Sequence, residues 1–124
     1  MMVYVVSKRN NTVYVKSKCG SFYAIWCSDE PETNREYHIE IDCDQTLVYG
    51  DVQLSNYHEA CIESREHSVF VTGILEEIED GVIILRLLDS IVMIKAYPNA
   101  VSPNYIGDFV DIKLKEIKLF DIGI

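Results

Sequence analysis

No stretch of this chain is apolar for long enough to cross a bilayer as a helix. The longest runs, residues 82–88 and 91–94, are interrupted by Arg86 or separated by Asp89 and Ser90, whereas a membrane helix needs about 20 apolar residues. The apolar start, residues 1–6, ends at Lys8 and Arg9, short of the core of about 7 to 15 residues that a secretory signal carries. These absences predict a cytoplasmic protein with no membrane contact. Paired cysteines at metal-finger spacing are missing as well: Cys19, Cys27, Cys43 and Cys61 lie 8, 16 and 18 positions apart, and only His58 and Cys61 stand three apart. A structural zinc site is not expected, and in a reducing compartment the four thiols are expected to stay free, as small buried hydrophobes.

Catalytic signatures are equally scarce. There is no glycine-rich phosphate loop, no Gly-x-Ser-x-Gly elbow and no His-Glu-x-x-His. Cys61 with His58 or His67 is the single local thiol–base combination, and nothing around it is electropositive enough to hold a thiolate. Asp42 and Asp44 share a predicted strand face but lack the glycine and the further oxygen donors of a calcium loop. The expectation is a protein that is not an enzyme and carries neither a cofactor nor a metal.

What the chain does have is acid, unevenly placed. Of 124 residues, 20 are Asp or Glu and 11 are Lys or Arg, for a net charge of -9. Residues 1–20 hold Lys8, Arg9, Lys16 and Lys18 and no acid, residues 29–80 hold fifteen carboxylates against Arg35 and Arg65, and residues 81–124 balance. Such a middle segment repels phosphate backbones and attracts cationic partners; the alternative use of such acidity is plain solubility. Nucleic acid is therefore not expected as a partner, and the basic first hairpin reads as a solvated edge whose lysines discourage aggregation.

The chain is read as a single β-rich domain over residues 1–124, with a basic N-terminal hairpin in 1–20, an acidic segment in 29–80 and core strands in 68–124. Residues 3–6 and 13–16 are β-branched and aromatic around Asn10-Asn11, which predicts a hairpin. Residues 21–27 predict a third strand. Residues 36–44 alternate Tyr37, Ile39, Ile41 and Cys43 with His38, Glu40, Asp42 and Asp44, the pattern of a half-buried strand with a carboxylate row outside. Leu47–Tyr49 extends it. Residues 56–66 predict one short helix, capped by Ser55 or Asn56, with an irregular loop as the alternative. Strands follow at 69–75, 82–88 and 91–96. From residue 110 the inward parity set by Val110, Ile112 and Leu114 flips at Ile117 and Leu119, which predicts a bulge at Lys115-Glu116. Seven or eight strands and at most one short helix give an all-β, mainly antiparallel fold: a small OB-like barrel or a β-sandwich.

Several segments together resemble small bacterial immunity proteins of polymorphic-toxin and contact-dependent growth inhibition systems: Tyr-His-Ile-Glu-Ile-Asp at 37–42, Leu-Val-Tyr-Gly-Asp at 47–51, Val-Phe-Val-Thr-Gly-Ile-Leu-Glu at 69–76, Asp-Gly-Val-Ile-Ile-Leu-Arg at 80–86 and Gly-Asp-Phe-Val-Asp-Ile at 107–112. The resemblance spans about the last two-thirds of the chain and rests on strand and turn chemistry, without a signature residue. It implies a non-catalytic antitoxin that masks the active site of a cognate, basic, nuclease-like toxin domain. The expected contacts are Asp29, Glu30, Glu32, Glu40, Asp42, Asp44 and Asp51, with Tyr49 and Tyr57 as anchors and Glu76, Glu77, Glu79 and Asp80 at a hairpin tip as a second patch. The alternatives are an OB-like or sandwich interaction module with another partner, or a small-ligand binder or enzyme.

Overall fold

The computed structural model describes residues 1–123, and within them the chain is all-β. Twelve strands run in order: β1 Met2–Arg9, β2 Thr12–Ser17, β3 Gly20–Trp26, β4 Arg35–Asp42, β5 Thr46–Leu47, β6 Val52–Leu54, β7 Cys61–Arg65, β8 Ser68–Glu79, β9 Val82–Leu87, β10 Ser90–Ala96, β11 Phe109–Leu114 and β12 Lys118–Asp121. A single 3-10 turn, Pro103–Tyr105, precedes β11.

Two sheets result. In the first, β1, β2, β3, β12 and β4 close into a five-stranded barrel, antiparallel except where β12 lies parallel to β3. The second follows the order β5-β10-β9-β8-β11-β6, with β7 paired to the first half of β8. Its two edge strands, β5 and β6, are consecutive in the chain, separated by the turn at residues 48–51. A closed five-stranded barrel with a second sheet beside it fits the expected all-β, mainly antiparallel class of small barrel or sandwich.

Strict alternation builds both cores. Along β2 and β9 every second side chain, Val13 and Val15 or Ile83, Leu85 and Leu87, points inward and is essentially removed from water, as period-two patterning requires of a sheet with one face packed. The two-residue hairpin turns carry positive φ at Asn10 (54°) and at Asp80 and Gly81 (50° and 73°); Asn, Asp and Gly bear that conformation at least cost. The buried side chains of both sheets form one continuous cluster.

Five expectations need correction. The predicted helix at 56–66 does not form: residues 55–60 are irregular and Cys61–Arg65 is β7. There Ile62 is buried while Cys61, Glu63 and Arg65 face out, a period of two that outweighs the loose spacing of Tyr57, Ala60 and Cys61, and Glu66-His67 turns the chain back against β8. Leu47–Tyr49 does not prolong β4; Thr46 and Leu47 leave it to pair with β10 of the other sheet. The parity flip at Lys115-Glu116 is not a bulge within one strand but the passage from β11 in the second sheet to β12 in the barrel. The register irregularities lie instead between Val5 and Ser7 and between Leu75 and Glu77. The strand count is twelve rather than seven or eight, because β5, β6 and β12, of two to four residues, carry too few side chains to show a period, and β7 lies where the helix was expected. All four cysteines are free, but only Cys19 is fully buried; Cys43 is half-buried, and Cys27 and Cys61 are exposed.

Candidate functional site

A concavity of about 600 Å³ lies over the outer face of β6, β7, β8 and β11. Cross-strand register sets its floor. Cys61, Thr72, Asp111 and Gln53 stand side by side in one row across the four strands. Two residues along, Glu63, Phe70 and Lys113 form a second row, which Asp51 completes by accepting the Lys113 amide on its carbonyl at 2.9 Å. The alternate residues Ile62, Val71, Ile112 and Val52 point through the sheet into the core, so the same periodicity that buries them fixes which side chains face the cleft.

One wall is the loop at residues 55–60. It is fastened at both ends of its turn: the Ser55 amide donates to the Phe109 carbonyl at 3.0 Å, and the His58 ring sits edge-on to Phe109 with centroids 5.8 Å apart. This holds Tyr57 and Glu59 at the rim, Tyr57 71% exposed. The opposite lip is the turn at residues 48–51, where the Val48 amide donates to the Asp51 carboxylate at 2.8 Å and Tyr49 stands 90% exposed.

The cleft is acidic. Asp51, Glu59, Glu63 and Asp111 line it against two cations, Arg65 and Lys113. Arg65 is already engaged, its guanidinium 3.9 Å above the Phe70 ring centroid and 3.5 Å from the Glu63 carboxylate. Thr72, the buried polar side chain at the centre of the floor, donates its hydroxyl proton to Asp111 at 2.6 Å. Burial pushes the Cys61 thiol up from its ordinary pKa, and Glu63, Asp111 and Glu59 push the same way. The cleft therefore keeps its thiol neutral and disfavours thiolate chemistry, while offering carboxylates, an aromatic face and hydroxyls to a cationic or hydrogen-bonding visitor. Among the described residues no three His, Cys, Asp or Glu side chains converge on a point that would hold a metal ion, and no helix is long and apolar enough to cross a membrane.

The residues singled out from sequence fall in four separate places. Asp51 and Tyr57 line the cleft, whereas Tyr49, next to the lining Gly50 in the 48–51 turn, is not among its lining residues. Asp29, Glu30 and Glu32 sit in the exposed loop between β3 and β4, against the basic first hairpin. There Lys8 pairs with Glu30 at 3.1 Å and donates to the Pro31 carbonyl at 2.8 Å, and Arg35 pairs with Glu32 at 3.4 Å. Glu40 and Asp42 form the expected outer row of β4, but opposite Phe120 and Lys118 of β12, and Lys118 also binds Asp44. Glu76, Glu77, Glu79 and Asp80 lie along the far end of β8 and its turn, Glu76 paired with Arg86. Sequence reasoning missed Glu59, Glu63, Arg65, Phe70, Thr72, Asp111 and Lys113 as a group. Asp111 and Lys113 were legible as outward-facing, and the alternation of Cys61, Glu63 and Arg65 was available, but joining them needs the cross-strand register. No protein-family model, curated protein or solved structure matches this chain.

Proposed function

We propose that this chain is a non-catalytic protein-binding module of the immunity type, and that it neutralises a basic toxin domain by receiving part of it in the acidic cleft of β6, β7, β8 and β11. The observation that carries this reading is the cleft's makeup: four carboxylates around a floor of Thr72 and Phe70, one of the two cations already stacked and paired, and the strongly exposed Tyr57 on the rim. Exposed tyrosines are frequent anchors in protein interfaces, and a field of one sign speeds encounter with an oppositely charged partner. The β3–β4 loop is a weaker docking surface, because Asp29, Glu30 and Glu32 stand against Lys8 and Arg35, an excess of one carboxylate, whereas the cleft's four exceed Arg65 and Lys113 by two. Glu40, Asp42 and the β8 tip remain secondary contacts.

The cleft volume also lies within the range of about 300 to 1,000 Å³ common for small-molecule sites, which favours, as the second reading, a small cationic ligand. One experiment separates the two. The proposal predicts an adjacent reading frame that encodes a toxin domain; the chain is co-expressed with that product, and co-purification and growth are scored for the wild type and for the triple variant Glu59→Gln, Glu63→Gln, Asp111→Asn. Co-purification and protection that the triple variant loses support the proposal. Absence of both in the wild type overturns it and leaves the small-ligand reading.

A further inference from the structure

We infer that the chain is a fused pair: two copies of one five-strand unit that have exchanged their fifth strands, an exchange that also builds the cleft. In the first copy the strands are β1, β2, β3 and β4, with β5 and β6 as the fifth; in the second they are β8, β9, β10 and β11, with β12 as the fifth. The register irregularity recurs 70 residues later, from Val5/Ser7 to Leu75/Glu77. The hairpin turns with positive φ recur at Asn10 and Asp80. After each turn the third strand closes back on it by the same bond, Trp26 amide to Asn11 carbonyl at 2.7 Å and Ala96 amide to Gly81 carbonyl at 2.9 Å. The core positions coincide at the same spacing: Val5 with Leu75, Val13 with Ile83, Val15 with Leu85, Phe22 with Val92 and Ala24 with Ile94, all buried. In both copies the fourth strand returns antiparallel to the first, β4 on β1 and β11 on β8.

The fifth strands cross over. In the first copy, Thr46 and Leu47 lie parallel to Lys95 and Ala96 of the second copy's third strand. In the second copy, Lys118 and Leu119 lie parallel to Ile25 and Trp26 of the first copy's third strand. The bonds are counterparts: Tyr97 amide to Leu47 carbonyl and Cys27 amide to Leu119 carbonyl, both 2.9 Å. Where the two connectors pass they are tied to each other, Lys118 to Asp44 and the Lys115 amide to the Gln45 side chain at 2.9 Å. β7 is the linker and has no counterpart. No residue of 1–26 is identical to its partner in 71–96, so the likeness lives in register and burial rather than in residue identity.

The exchange matters for the site. Asp51 and Gln53 reach the cleft on the first copy's exchanged segment, whereas Thr72, Phe70, Asp111 and Lys113 belong to the second copy. Neither copy alone would form it.

The test is amide hydrogen exchange on the intact chain carrying Leu119→Ala or, separately, Leu47→Ala. Exchange of strands predicts that Leu119→Ala speeds exchange at Ile25, Cys27 and the β4 amides by roughly tenfold or more relative to those of β9 and β10, and that Leu47→Ala does so at Tyr97 and the end of β10 relative to β2 and β3. The opposite assignment, each variant loosening the sheet formed by its own copy, overturns the inference. If either variant loses the fold, the wild-type chain is cut at a protease site inserted in residues 56–59. Fragments held together as one species under native conditions support the fused pair, and fragments that separate while each keeps its strand signal refute it.

Discussion

Replacing Gly73 by alanine adds one methyl group, and the structure fixes the sign of the result. Gly73 is buried in β8 opposite Val110 of β11, beside the irregularity at Leu75/Glu77 where β9 draws in. Its φ is not positive, so the backbone itself would accept any residue, and glycine in a strand interior ordinarily costs about 0.5 to 1 kcal/mol relative to alanine. In open space the substitution would therefore stabilise. Here the new Cβ would press into the Arg86 carbonyl oxygen and come to 3.0 Å from both Leu85 Cγ and Leu87 Cδ2. The obstacle is backbone of a central strand, flanked by two fully buried leucines, so β9 must move. Overpacking of this kind costs about 1 to 3 kcal/mol. With an unfolding entropy of roughly 2 cal/mol/K per residue, each kcal/mol lowers the Tm of a chain this size by about 4 °C. Set against the roughly 0.5 to 1 kcal/mol that losing the glycine returns, Gly73→Ala is expected to lower Tm by up to about 10 °C and to shift the urea midpoint down at unchanged slope. A Tm equal to or above that of the wild type would show that β9 yields freely and that the close approach does not constrain the second sheet.

Other consequences can be measured in the same way. Thr72→Val keeps the shape of the cleft floor and removes the hydroxyl that Asp111 accepts; about 1 to 2 kcal/mol of stability should be lost in denaturant titration, and much less when Asp111→Asn is already present. On β8, neighbouring glutamates should respond oppositely to pH. The Arg86 hydrogen bond lowers the Glu76 pKa, so its contribution is present above the ordinary carboxylate range and is lost as pH falls through the lowered pKa. The Glu79 carboxylate beside it raises the Glu77 pKa, so stability falls as pH rises through the raised value. At neutral pH Glu76→Gln is expected to lower Tm and Glu77→Gln to raise it, and the Glu77→Gln gain should vanish on acidification. Alkylation of Cys61 should be slow at neutral pH and should quicken in the Glu63→Gln, Asp111→Asn background, since both carboxylates hold its thiol protonated; an unchanged rate, followed by peptide mass spectrometry, would show that burial alone sets it. For the proposed partner, neutralising Glu59, Glu63 and Asp111 should slow association on the order of tenfold at low salt and flatten its salt dependence, whereas neutralising Glu30 and Glu32, already paired with Lys8 and Arg35, should change little.

Local chemistry determined much of this molecule from sequence alone. Alternation placed Ile39 and Ile41 inside and Glu40 and Asp42 outside, Asn10-Asn11 and Asp80-Gly81 marked the hairpins, and the all-β class followed, because each of these signals is carried by residues within one strand or turn. Tertiary structure decided the rest. Whether Leu47 continues β4 or leaves for β10, and whether Lys115-Glu116 is a bulge or a bridge between sheets, depends on partners 49 or more residues away, and alternation reads the same in either sheet. The cleft was hidden for that reason: its two rows are assembled across four strands by register, and a period of two says which way Thr72, Asp111 and Glu63 point but not that they meet.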